Sequence, residues 1–302
     1  PFSGSTLFSF LANSHPQIAT VGEMTGPIAS QDPDSYRCSC GERMRDCTFW
    51  TQVATQMTKR GFEFDPGRFD TRIRLGSGPL SRRILSGPLP GRRLEDLRDA
   101  LIEFLPRPGK RLHYLIDRNI ALAASVLKVS RKPVFFDASK NPMTIRHLHR
   151  RNDIDLRVVH LVRDVRGAGL SKRKNRGQTD WPRTVSAWVR MNQVIDGQLR
   201  RLADDRWIRI RYEDLCCSPA ATMNRFFEFC DLQPHALPSD FGSAEHHVVG
   251  NRMRLTNAGQ IRLDESWRGT LTPDELAIAW KLAGPLHMRY GYPAISDTDL
   301  AA

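Results

Sequence analysis

Two groups of residues in this chain have the types and spacing to bind an anion: Ser3-Gly4-Ser5-Thr6, and Arg163 with Ser171 about two helical turns further on. The small residues of the first group let backbone approach a phosphate closely, and the hydroxyls of Ser3, Ser5 and Thr6 can donate to it. The apolar stretch 6–13 makes this loop the opening of a helix, where free N–H groups and the positive end of the dipole favour negative charge. The nucleotide pattern Gly-x-x-x-x-Gly-Lys-Ser/Thr is not met, because its lysine is missing. Taken alone, the loop also fits a plain helix cap. Arg163 follows an apolar stretch at 156–162, so a strand would deliver its guanidinium to a carboxyl end, where it can grip a phosphate bidentately. The competing reading is an Arg163–Asp164 surface pair with Ser171 in solvent.

Cysteine chemistry is the other option the residue types offer. Cys38, Cys40 and Cys47 lie close together, whereas Cys216, Cys217 and Cys230 are far downstream. A zinc site needs a fourth ligand and usually two Cys-x-x-Cys pairs, and no histidine neighbours the first cluster. A packed or disulfide-linked loop is therefore expected there, with a metal a distant second reading and none assigned.

The elements that must position these residues follow from punctuation and pattern. Strands are expected at 134–137, 156–162 and 207–211. Helices open at Asn141-Pro142, near Gly167, at Ser218-Pro219 and at the capping box Thr272-Pro273-Asp274-Glu275. The alternation predicts βαβ units in a parallel sheet of four or five strands, with ligands bound beyond the carboxyl ends. A loop such as Ser3–Thr6 ordinarily follows a buried strand, and that strand is expected before Pro1. Residues 30–130 read as an irregular, partly helical insertion, Gly/Pro/Arg-rich at 74–93, with helices at 94–104 and about 112–129.

Composition narrows the partners. The 302 residues carry 45 basic and 33 acidic side chains, a formal charge of +12, with 40% hydrophobic and 26% charged residues. That mixture excludes a disordered or collagen-like chain, and no apolar run reaches the roughly 18 residues that span a bilayer. The charge favours an anionic partner: nucleic acid, a phosphorylated ligand, a sulfated glycan or a membrane surface. Arg82-Arg83, Arg92-Arg93, Arg150-Arg151 and Lys172-Arg173-Lys174 come without an aromatic-lined motif or recognition helix. They read as a solvated basic face, and nucleic acid is not expected as a partner. No signal segment is in view, so the cytoplasm is the expected location.

With these residues in order, the chain resembles the sulfotransferases that use 3′-phosphoadenosine 5′-phosphosulfate (PAPS), over nearly its whole length. Ser3-Gly4-Ser5-Thr6 is similar to that family's 5′-phosphosulfate loop, and Leu161-Val162-Arg163-Asp164 through Ser171 to its 3′-phosphate motif. Arg211-Tyr212-Glu213-Asp214-Leu215 resembles the segment whose tyrosine lies near the adenine. Gly250-Asn251-Arg252-Met253-Arg254 and Trp267 resemble the C-terminal segment that closes over the cofactor. One departure is Phe2, where many members carry a basic residue that neutralises the sulfuryl leaving oxygen.

The resemblance also implies catalytic roles. Ser139-Lys140-Asn141-Pro142 is similar to the Lys-Asp-Pro segment of tyrosylprotein sulfotransferases, which makes Lys140 the expected stabiliser of negative charge. Sulfuryl transfer needs a base for the acceptor's proton. Ser14-His15-Pro16 followed by Gly22-Glu23 resembles the segment that carries a glutamate base, so Glu23 is expected in that role. His15 is read as a turn residue, and His246-His247 as a weaker base candidate.

The expectation is thus one α/β domain over 1–302, with a P-loop-like parallel sheet flanked by helices. PAPS would be held by Ser3, Gly4, Ser5, Thr6, Arg163, Ser171, Tyr212, Asn251 and Arg252, and the acceptor would be a hydroxyl or amine of unspecified class. A kinase or nucleotide hydrolase on a related sheet, or a non-catalytic binder of nucleic acid or glycan, are the alternatives. The missing loop lysine and the lack of an obvious Mg²⁺ carboxylate count against the former.

Overall fold

A computed structural model describes residues 3–24, 32, 35–177, 179–239, 247–249 and 261–293. The chain divides into two compact units. One comprises Thr6–Ile154 with His235–Gly259, and the other Pro1–Ser5, Asp155–Pro234 and Gln260–Ala302.

In the first unit, helix α1 (Ser5–Asn13) is buried on every side from Leu7 to Ala12, as its almost unbroken apolar sequence requires. It leads into β1 (Ile18–Thr20), which pairs in parallel with β2 (Val134–Phe136), Ile18 opposite Val134 and Thr20 opposite Phe136. Between the two strands run α2 (Thr48–Lys59), α3 (Pro79–Ser86), α4 (Arg92–Phe104) and α5 (Pro106–Ser130). Trp50, Val53 and Met57 of α2 interlock with Ala121, Leu122 and Val126 of α5 in the main core, which also takes in Val21 and Val249. A 3₁₀ turn at Pro142–Thr144, capped by the Asn141 side chain on Met143 N–H at 3.2 Å, opens α6 (Ile145–Leu148).

Residues 30–130 are more helical than expected. α2 is rich in threonine, a weak helix former, and burial of Trp50, Val53 and Met57 on one face supplies what propensity does not. α3 is set by punctuation: Pro79 occupies its first turn and Gly78 and Gly87 flank it, with none of its residues buried. α5 starts at Pro106 because prolines in a first turn forgo N–H groups that have no helical partner anyway.

In the second unit β3 (Val158–Val162) pairs in parallel with β4 (Trp207–Arg211), Val162 opposite Arg211. The helices are α7 (Val165–Arg176), α8 (Trp181–Leu199), α9 (Tyr212–Cys217), α10 (Pro219–Phe229) and α11 (Pro273–Arg289). Thr272 and Glu275 form the reciprocal capping box that opens α11. Leu276, Ala279 and Ala283 of α11 then pack with Val165, Leu170, Trp181 and Val185 from α7 and α8. The described strands therefore form two parallel pairs, one in each unit, rather than the single sheet of four or five strands expected. Among the described residues no helix is long and apolar enough to cross a membrane.

Candidate active site

The second unit builds an arginine-centred site at the carboxyl ends of β3 and β4. Because Val162 lies opposite Arg211, the next residues, Arg163 and Tyr212, emerge side by side. Arg163 is 5% exposed, and its guanidinium carbon stands 4.3 Å from the centroid of the Tyr212 ring. Gly4 lies against the same ring: its φ is +84°, and a Cβ at this position would collide with Tyr212 Cδ2. Only glycine satisfies both conditions at low cost. Gly4, Arg163 and Tyr212, expected from the sequence to share a ligand, are thus brought together.

Arg163 Nη2 donates to the Asp264 carbonyl oxygen at 2.9 Å and to its carboxylate Oδ2 at 3.0 Å. Burial works to raise the Asp264 carboxyl, but hydrogen bonds from Ser266 and Arg163 outweigh it and bring the pKa down to about 2. The Arg163–Asp164 pair weighed from the sequence does not form. Asp164 instead caps α7 through Arg166 N–H at 2.8 Å, accepts from the Arg166 guanidinium at 2.6 Å, and lies 3.4 Å from His287 Nε2. Burial opposes its charge, yet His287 and Arg166 hold the carboxyl well below the ordinary range. Arg166 stacks on Trp267 at 3.8 Å. Glu213, raised by burial, accepts from Asp164 N–H at 3.0 Å and from the Tyr292 hydroxyl at 2.8 Å, which fixes the turn from β3 into α7.

A cavity of about 190 Å³ opens here, lined by Arg163, Arg166, Arg211, Asp264, Trp267 and Arg268 among others. Four guanidinium groups share this lining with the four carboxylates of Asp164, Glu213, Asp264 and Glu265, so an anion bound here takes its arginines in exchange for those acids. Of the expected site residues among those described, only Arg163 lines it; Ser171, partly buried on α7, does not, and neither do Ser3, Gly4, Ser5, Thr6 or Tyr212. Thr6 lies in the first turn of α1, next to Ser5. Phe2, Asn251 and Arg252 lie outside the described residues, as does His246.

The first unit brings the two expected catalytic residues together. The parallel pairing of β1 with β2 sets their carboxyl ends side by side, so the segments at 21–24 and 137–140 run on as neighbours. Ala138 N–H donates to Gly22 carbonyl at 2.8 Å, and Met24 N–H donates to Asp137 Oδ1 at 3.2 Å. Lys140 Nζ then donates to Glu23 Oε1, both side chains partly exposed. Gly22 adopts φ +73° with Val249 so close that a Cβ would strike its carbonyl oxygen, and Glu23 N–H donates to that oxygen at 3.1 Å. Such a pair offers a carboxylate to accept a proton and an ammonium to balance developing charge. His15 ends the α1 turn as expected, its Nδ1 accepting from Gln17 N–H at 3.1 Å.

Sequence reasoning missed Asp264, Arg166 and His287. Asp264 sits in a segment without periodicity, and no local signal pairs it with Arg163. Arg166, two positions after the Asp164 cap, was open to detection as an Asp-x-Arg step at a helix start. Of the packed or disulfide-linked loop expected around the first cysteines, the structure shows the packed form, with Cys38 and Cys47 buried. All six are free thiols, and His247, 200 positions from Cys47, lies beside Cys38 and Cys47. Some of the surplus arginines of this unit meet acids: Arg92 pairs with Asp96, Arg150 with Asp96 and Glu103, and Arg151 with Asp117 and Asp153.

A family model described as "Sulfotransferase family" matches residues 1–236. Among solved structures, the sulfotransferase domain from the curacin biosynthetic pathway is 16% identical, with 98% of this chain and 96% of that one covered and a TM-score of 0.52. The sulfotransferase domain from the Synechococcus PCC 7002 olefin synthase is 15% identical over 94% and 91% of the two chains, with a TM-score of 0.49. A sulfotransferase from Mycobacterium avium is 16% identical over 97% and 76%, with a TM-score of 0.47. No curated protein matches the chain. At these identities the likeness to the curacin-pathway domain concerns the fold alone, which is mixed α/β with short parallel strands.

Proposed function

The chain belongs to the sulfotransferase family, and from that premise we propose that it moves a sulfuryl group from PAPS to a hydroxyl or amine acceptor by in-line transfer. The observation that carries the reading is the convergence of Gly4, Arg163 and Tyr212, from three distant parts of the chain, on one ring and one buried guanidinium. The donor set fits the group: a loop glycine without a side chain, a planar aromatic ring for a base, and a guanidinium able to grip bidentately, whose ion-pair partner among the described residues is the partly exposed Asp264 carboxylate. PAPS supplies the activated sulfuryl group and the leaving 3′-phosphoadenosine 5′-phosphate.

In this reading Ser3, Gly4, Ser5 and Thr6 hold the 5′ end with backbone N–H and hydroxyl donors, and Arg163 and Ser171 hold the 3′-phosphate. Tyr212 packs on the base, and Asn251 and Arg252 complete the binding set. Glu23 removes the acceptor's proton as the acceptor atom bonds to sulfur, and Lys140 neutralises the charge left on the departing bridging oxygen. The helical region 30–130 selects the acceptor, within one sulfotransferase domain that spans 1–302. Neutralisation by arginine, lysine and helix N–H groups does the work that Mg²⁺ does in kinases.

Calorimetry of the full chain tests this. 3′-Phosphoadenosine 5′-phosphate is expected to bind at least tenfold more tightly than AMP or ATP, and Arg163→Ala to erase the difference. Equal binding of AMP and the 3′-phosphorylated ligand overturns the proposal.

A further inference from the structure

We propose that Cys38, Cys40, Cys47 and His247 form a structural zinc site that braces the chain on either side of Gly22, next to Glu23. Their four ligating atoms all lie within 4.8 Å of one another. The separations are 3.7 Å for Cys40 Sγ to Cys47 Sγ, 3.4 Å for Cys47 Sγ to His247 Nδ1 and 3.6 Å for Cys38 Sγ to His247 Nδ1. Tetrahedral zinc, with its usual bond lengths, places sulfur atoms about 3.8 Å apart and sulfur about 3.5 Å from nitrogen. The three separations match those a metal would require, the rest fall within the same 4.8 Å, and the cysteines are not joined by a disulfide. Three thiolates and one imidazole are a soft, closed set that leaves no open position, which marks a structural rather than a catalytic centre.

The local backbone is built for such a centre. Residues 37–43 form a tight hairpin: Arg37 bridges Arg43, Cys38 N–H donates to Glu42 carbonyl at 2.8 Å, and Gly41 takes φ +95° at the bend. Cys38 and Cys40 thus project from one knuckle. Cys47 is the residue that immediately precedes α2. His247 is held in place by Phe49, whose ring stacks on it at 4.4 Å, and Ser39 Oγ accepts from the neighbouring Val248 N–H at 2.8 Å. Two residues on, Val249 N–H donates to Val21 carbonyl at 2.8 Å and Val249 carbonyl accepts from Glu23 N–H. The metal would tie the hairpin, the start of α2 and the 247–249 segment into one clamp, and that segment carries the backbone contacts on both sides of Gly22.

The site stands independently of the proposed reaction, and its test uses no transfer assay. The full chain is purified without chelator and its zinc measured by mass spectrometry, then exchanged for Co²⁺. About one zinc per chain is expected, with a thiolate-to-cobalt charge-transfer band and the strong visible absorption of tetrahedral Co²⁺. Cys40 is exposed, so Cys40→Ser removes a ligand with least harm to packing. It is expected to lower the zinc content to roughly a tenth or less, whereas Cys216→Ser keeps it. Stripping the wild-type metal is expected to lower the melting temperature and to speed amide exchange at residues 21–24. A zinc-free chain whose Co²⁺ form lacks the charge-transfer band overturns the proposal, as does a disulfide among Cys38, Cys40 and Cys47 by intact mass, or full zinc retention in Cys40→Ser. Should Cys40→Ser fail to fold, the wild-type metal content and Co²⁺ spectrum decide the matter.

Discussion

Glu23 and Lys140 lie 117 positions apart in the chain and share a hydrogen bond beyond the carboxyl ends of two paired strands. The contact sets a carboxylate that can accept a proton beside an ammonium that can balance developing charge. Glu23→Gln keeps the shape and removes the basicity. It is expected to lower kcat by about 10²- to 10⁴-fold while leaving the affinity for 3′-phosphoadenosine 5′-phosphate within a few-fold of wild type. Steady-state transfer of labelled sulfate, set beside calorimetry, checks it; an unaltered kcat removes Glu23 as the base.

Lys140→Met retains the aliphatic stem and deletes the charge. A role in balancing charge that develops during transfer predicts a fall in kcat on the order of 10²-fold with little change in KM for the donor. A change confined to KM would instead make Lys140 a ground-state binding group.

Asp264 occupies Arg163 through both a carbonyl and a carboxylate oxygen. An incoming phosphate has to displace that carboxylate, so Asp264→Asn is expected to tighten binding of the 3′-phosphorylated nucleotide several-fold at low salt, with a smaller effect on AMP. Titrations of both ligands at two salt concentrations test the difference.

Gly4 joins a positive φ to direct contact with the Tyr212 ring. Gly4→Ala is expected to destabilise the fold by about 1–3 kcal/mol and to weaken nucleotide binding as well, because the loop must shift off the ring. Urea denaturation and calorimetry on the same preparation measure both effects. At Gly41, whose missing Cβ meets nothing within 4 Å, only the backbone cost of φ +95° applies, about 1 kcal/mol.

Asp164 has a carboxyl held below its unfolded value, so its contribution to stability is complete above the unfolded pKa, roughly 3.9, and is lost as pH falls toward the lower folded value. Denaturant midpoints are therefore expected to drop on acidification below about pH 4, and Asp164→Asn to flatten that limb. Removing the partner with Arg166→Leu leaves the buried carboxylate short of a counter-charge and is expected to cost on the order of 3 kcal/mol at neutral pH. Midpoints measured from neutral pH down to about pH 3 read out both variants.

Much of the fold was legible wherever its signals are local. β4 was expected at 207–211 and runs Trp207–Arg211, and the capping box at Thr272 does open α11. Asn141 caps the turn before α6, and Pro219 stands in the first turn of α10. These signals act within one helical turn, where neighbours in sequence are neighbours in space. β1 was not legible because three residues carry no pattern. α2 was missed because its helicity comes from packing Trp50, Val53 and Met57 against α5, and its threonines argue against it locally.

The amino-acid sequence alone was enough for the α/β class and for the family. Which group meets which was decided by the tertiary structure. Arg163 faces Asp264 and not Asp164, Glu23 meets Lys140, and His247 supplies a fourth ligating atom beside Cys38, Cys40 and Cys47. The reason is physical: strand pairing and core packing bring together residues about a hundred or two hundred positions apart, and separation along the chain says nothing about distance through it.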